Sequence, residues 1–342
     1  MALQLKRFWL IFLTVLTACG ESSDNVIQPI EVPEGKGISI PLTRFEEDLF
    51  NVKKESFTAD TQKLSQKYHS FFYLFTSRII KVGGPKDLLL RENLTGFVSD
   101  PDILSVKAEV NKQYPSLTNE QQYLEAAFNR FHALFPDTVT PRLLTMVSGF
   151  NMNIAIDDSS LAVGLDMYLG ETCRYYELLG LPKYKVRNMN RNQLVPDAMR
   201  GYLLSTFEMN ATVDDLVSWM IYHGKILYVA QQLLPEVKES RLFGCSDAQL
   251  EWCKKNEGKI WGHFIDKKLF YSTDFQDQVN YINDGPFTPG FPDESPARIG
   301  VWLGWQLVKS YMEKTGSSIP KLMEQQDAHQ LFNKSGYKPI RV

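Results

Sequence analysis

Lys6 and Arg7, the apolar run from Phe8 to Leu16 and the sequence Leu16-Thr17-Ala18-Cys19 decide how much of this 342-residue chain is available to fold, and where. A basic start followed by a short apolar core and small residues is the pattern of a secretory signal. The apolar run is too short to cross a hydrocarbon layer of roughly 30 Å. Leu-Thr-Ala-Cys adds a thiol at the first position after the expected cut, where a diacylglyceryl group can be attached. Two or more acyl chains hold a protein firmly at a membrane, whereas one holds it weakly. The expected organisation is therefore a signal peptide over 1–18, a tether from a lipidated Cys19 through 36, and one globular domain over 37–342. The tether expectation rests on Gly20 to about Gly35, where Ser, Asp, Glu, Asn and Pro leave little to build a core. Folding then takes place outside the cytoplasm, on an envelope membrane. Gly20 after the cysteine points to the outer membrane more than to the inner one.

The remainder has the means to build a large core: 44% of the chain is apolar, with 21 Phe and 15 Tyr. Lys and Arg number 37 against 40 acidic residues, with no long run of either sign, so no nucleic-acid partner is expected. Beyond Cys19 there are Cys173, Cys245 and Cys253. Their odd number leaves at least one thiol unpaired within the chain, and the spacing of Cys245 and Cys253 permits a local bridge without requiring it. Paired C-x-x-C groups of a zinc ribbon are absent.

Helical periodicity dominates. The pattern predicts one long helix from Thr58 to about Val82, ended by Gly83-Gly84-Pro85, and helices opening at Asp100-Pro101 and Thr118. Further helices are predicted over 196–207, 213–234, 246–256, 259–267, 274–283 and 296–314, the last with Ser295 as cap and Pro296 as its first residue. Ile38 to Leu42 alternates like a short edge strand, and strand-like runs lie at 142–150, 153–156 and 161–165. The expected fold is α+β: a helix-dominated single domain around a small antiparallel sheet.

Hydrolytic motifs are missing. The five histidines never form H-E-x-x-H, and neither a G-x-S-x-G elbow nor a G-x-x-x-x-G-K-[ST] phosphate loop occurs. Two stretches remain chemically dense. In the first, Tyr222, Lys225 and Tyr228 either wall a cleft or serve a close helix contact made possible by Gly224. The second is the turn-rich run Asn283 to Gly300. Here Glu294 and Arg298 either face a cleft rimmed by Phe287 and Phe291 or belong to a packed helix start, with Gly300 and Gly304 admitting a neighbouring helix.

The segments Arg44-Phe-Glu-Glu-Asp-Leu-Phe50, Val163-Gly-Leu-Asp-Met-Tyr-Leu169, Gly224-Lys-Ile-Leu-Tyr228, Glu251-Trp-Cys253, and Tyr281 to Phe287 with Glu294 to Gly300, together with the lipidation signal, resemble the gliding-motility lipoprotein GldB family. The resemblance spans nearly the whole chain. It implies an envelope lipoprotein required for cell movement over surfaces and linked to the secretion system that exports adhesins. Such chains are also distantly similar to zinc proteases of the gluzincin kind, which implies a degenerate zincin-like fold as one form of the α+β architecture. In that comparison the 196–207 helix takes the place of the zinc helix and offers no His pair. The resulting expectation is a non-enzymatic component that binds other gliding or secretion proteins and carries no metal, cofactor or catalytic residue. Its candidate cleft comprises Asp166, Arg200, Tyr222, Lys225, Tyr228, Glu294 and Arg298. The alternative is a metal-dependent, peptidase-like hydrolase whose ligands are gathered from scattered His, Asp and Glu.

Overall fold

A four-stranded sheet in the order β1-β2-β4-β3 organises the computed structural model, which describes residues 30–32 and 37–339. The signal segment, Cys19 and most of the expected tether lie outside the described residues. Ile30 is described, and it packs against the main core.

The strands are β1 (Leu42–Arg44), β2 (Arg142–Met146), β3 (Ile154–Ile156) and β4 (Ser160–Gly164). The fold class is the expected helix-dominated α+β, but the sheet is mixed rather than antiparallel. β2 runs parallel to both β1 and β4, and only the β3–β4 pair is antiparallel. That pair is the hairpin signalled by Asp157 to Ser160. The parallel neighbours follow from connections too long to be hairpins: helices separate β1 from β2, and β3 lies at the edge, letting β2 and β4 meet.

Both faces of this sheet are covered, which is why all five β4 residues are buried. Along β2 and β4 the side chains alternate. Leu143, Leu161 and Val163 join one core, while Leu144, Met146 and Ala162 join the other. The second core is built around Phe45, whose ring meets Tyr68, Phe71 and Phe75 edge-on at 4.8, 5.1 and 4.9 Å. The segment predicted as one helix from Thr58 is broken to serve this cluster. Phe57–Tyr68 ends at His69, whose φ is 49°, and Ser70–Leu74 runs into a wider π turn over Phe75–Ile79. Next to it, Arg44 donates to the fully buried Glu46 at 2.7 Å, and Glu46 also accepts from Thr145 Oγ1 on β2 at 2.8 Å.

On the other face, Leu216–Leu233 crosses Ile299–Thr315 at very short range. A Cβ on Gly224 would collide with the Gly304 carbonyl, and one on Gly304 with the Met220 carbonyl. The close-packing role expected of Gly224 and Gly304 is thus what the structure contains. Gly300 likewise faces the Tyr281 backbone, 2.8 Å from where its Cβ would stand. The last long helix begins at Ile299 rather than Pro296. Arg298 takes its cap position in the left-handed region, so the chain turns once more before the helix starts. Cys173, Cys245 and Cys253 are all free, and the local bridge does not form.

Candidate functional site

The helix Leu194–Thr206, the Leu165–Tyr168 turn, the 183–189 segment and the loop before Ile299 enclose a cavity of about 320 Å³. Its lining includes Asp197 and Arg200 from the helix, Lys185 and Asn188 from the short segment, Gly244, and Asp284 with Arg298 from the turn-rich loop. Asp197 and Arg200 stand one helical turn apart on one face and form an ion pair at 3.1 Å. Asp197 also accepts from Tyr168 Oη at 3.1 Å and from Gln193 Nε2 at 3.2 Å, which fixes its carboxylate in the cavity lining.

Arg298 is the most constrained residue here. Its backbone is left-handed at φ 61°, a conformation that costs a non-glycine residue on the order of 1–3 kcal/mol. Several contacts hold it. Thr288 Oγ1 donates to the Pro296 carbonyl at 2.9 Å and accepts from the Ile299 N–H at 3.2 Å, the Arg298 guanidinium donates to the Phe243 carbonyl, and it lies 5.1 Å from the Phe243 ring centre. Burial, then the neighbouring Arg200 charge, pulls Arg298 down to about 10, so it remains a cation at neutral pH. The same two guanidiniums act on His223. Burial first, and then Arg298 and Arg200, hold its imidazole down to about 4, so it is neutral under ordinary conditions.

The expected cleft residues do not converge on one place. Arg200 and Arg298 share the cavity just described. Tyr222 and Lys225 lie on the same helix as His223 but line a separate groove of about 630 Å³, formed with residues 205–211 and 323–328. The Lys225 ammonium donates to the Gln325 carbonyl, and burial lowers it to about 8. Tyr222 Oη donates to the Phe207 carbonyl at 2.9 Å. Tyr228 is half-buried against the main core, and Glu294 is exposed; neither lines the cavity or the groove. Phe291 does not rim the cavity but packs on Trp252 and on His263.

Asp166 is wholly buried and serves the backbone. It accepts from the Ser148 N–H at 3.1 Å and the Phe150 N–H at 2.6 Å, clamping a turn in which Gly149 and Phe150 both have positive φ. Burial raises its carboxyl to about 6 despite those donors. Lys185, Asn188, Asp197, Gly244 and Asp284 were not singled out from sequence. The 183–189 segment carries no strong periodicity, and Gly244 shows its value only through the left-handed turn it occupies at φ 79°.

Among the described residues no three His, Cys, Asp or Glu side chains come together in a way that would hold a metal ion. No described helix is long and apolar enough to cross a membrane. No curated protein and no solved structure matches the chain. A family model for the gliding motility protein GldB does match, over residues 28–339, and the chain therefore belongs to the gliding motility protein GldB family.

Proposed function

We propose that this protein is an extracytoplasmic lipoprotein that works as a non-catalytic binding component of the gliding and secretion machinery. Cys19 carries the lipid, residues 19–36 join it to the working domain of residues 37–342, with Ile30 already packed on that domain's core, and the outer membrane is the anchoring surface. The observation that carries this reading is membership of a motility family over almost the entire chain. Support comes from the charged cavity between the Leu194–Thr206 helix and the Arg298 loop. Its charged residues are paired and held in place as those of a recognition surface are. The contact is assigned to Arg200 and Arg298 in that cavity.

The test is recovery of the native protein from envelopes cross-linked in gliding cells, followed by identification of what is attached. Motility or secretion components are expected in the adduct. Adducts containing none of them, from cells that still glide, would refute the reading.

A further inference from the structure

Three nitrogens surround the empty side of Gly244. A Cβ built there would lie 3.0 Å from Arg298 Nη2, 3.7 Å from Arg200 Nη1 and 3.7 Å from Asn188 Nδ2. A residue other than glycine would press on the Arg298 guanidinium and meet Arg200 and Asn188 at ordinary contact distance, and the left-handed φ of 79° independently favours glycine. Donor capacity is left over at this place. The Nε atom of Arg298 is buried without a hydrogen-bond partner, an orphan whose cost an acceptor would relieve.

The charge of the cavity narrows the acceptor. Lys185, Arg200 and Arg298 contribute three positive charges and Asp197 and Asp284 two negative ones, leaving one net positive charge. His223 adds none, being neutral. One net charge in a cavity of about 320 Å³ complements a monoanion the size of a single residue better than a phosphate dianion. The remaining polar groups suit a peptide. Asn188 donates its amide to the Gly244 carbonyl at 2.8 Å, and Gln193 donates to Asp197 and to the Arg241 carbonyl, which leaves the side-chain oxygens of both to accept backbone N–H groups.

We propose that this cavity binds a carboxylate carried by a peptide segment of a partner protein, held by Arg200 and Arg298 with Lys185 at the mouth. The inference rests on the binding-component reading and gives it a ligand chemistry. The carboxylate is supplied by an acidic side chain or by a chain terminus, and the experiment separates these two sources.

Three acetyl-capped tripeptides are titrated into the purified full-length protein: Gly-Glu-Gly amide, Gly-Gln-Gly free acid, and Gly-Gln-Gly amide. Inorganic phosphate and glucuronate serve as competing anions. At least one carboxylate peptide is expected to bind about tenfold or more tightly than the neutral amide, and the stronger of the two identifies the source. Arg200→Gln should abolish most of that preference. Lys185→Met, at an exposed side chain, should reduce it several-fold and decides the matter should the first variant fold poorly. Equal binding of all three peptides, tighter binding of phosphate or glucuronate, or unchanged preference in a folded variant would overturn the proposal. Peptide selectivity without motility partners in cross-linked envelopes would instead leave this site standing and remove the wider functional reading.

Discussion

His223 and Asp166 show at the residue scale how burial near the cavity sets opposed responses to acid. The folded His223 titrates near 4 against an ordinary 6.5. Between those pH values the unfolded chain takes up a proton that the folded chain refuses, so this group lowers stability as pH falls. Asp166 titrates near 6 in the folded chain against an ordinary 3.8, so there the folded chain holds the extra proton, and this group raises stability as pH falls. Each contribution amounts to up to about 3 kcal/mol, and the two have opposite sign. Denaturant unfolding at pH 4.5 and pH 7 should separate them. His223→Phe is expected to gain stability toward acid relative to the native chain, whereas Asp166→Asn should lose it more steeply. Parallel pH profiles for all three proteins would contradict the assignment. Arg298 belongs to the same scale: its residue type was legible as a site candidate, but its left-handed backbone was not, because Ser295-Pro296 is a sound helix start by local rules. What overrides the local signal is tertiary, namely Thr288 bridging Pro296 and Ile299.

At the scale of elements, the crossing of Leu216–Leu233 over Ile299–Thr315 is fixed by two glycines that leave no room for a methyl group. Gly304→Ala should destabilise the protein by on the order of 3 kcal/mol, since the helix backbones must separate to admit it. Gly262→Ala is the contrasting case. It lies in the Glu257–Asp266 helix with nothing near its Cβ position, so removing glycine flexibility should stabilise by about 0.5–1 kcal/mol. Thermal unfolding of the two variants checks both signs together, and a neutral Gly304→Ala would mean the helices are less closely apposed than described. This contact was readable in advance because a glycine within a strong helical pattern already asks for a close neighbour. Apart from the segment from Thr58, the predicted helices fall within a few residues of those observed, for the same reason: periodicity is local. The sheet was half legible. A four-residue polar turn announced the β3–β4 hairpin, while the parallel β1–β2 and β2–β4 pairings depend on where long connections lead, which no window of residues records. The break at His69 was hidden likewise, since the rings on either side of it keep helical spacing and only their shared contact with Phe45 shows why the helix bends.

At the scale of the whole molecule, the two cores share the sheet, and the cavity lies between elements on its larger side, away from the Phe45 cluster. The candidate residues were split between cavity and groove for a geometric reason. Tyr222, His223 and Lys225 are neighbours in sequence, but on a helix Tyr222 and Lys225 share a face that His223 does not. Sequence could supply that division, yet not which face met Arg200 and Arg298. The proposed role makes a spatial demand: a partner must meet the protein at the mouth of the cavity that holds Arg200 and Arg298. Asn153, exposed beside it, and Leu88, 97% exposed and carried on the segment that leads into the Phe45-side core, mark two separate surfaces. The most direct measurement is site-specific photo-cross-linking in gliding cells from an unnatural side chain at each of these positions in turn. The account predicts an adduct with a motility or secretion component from position 153, lost when Arg200→Gln is added, and none from position 88. The same adduct from both positions, or from position 88 alone, would contradict it.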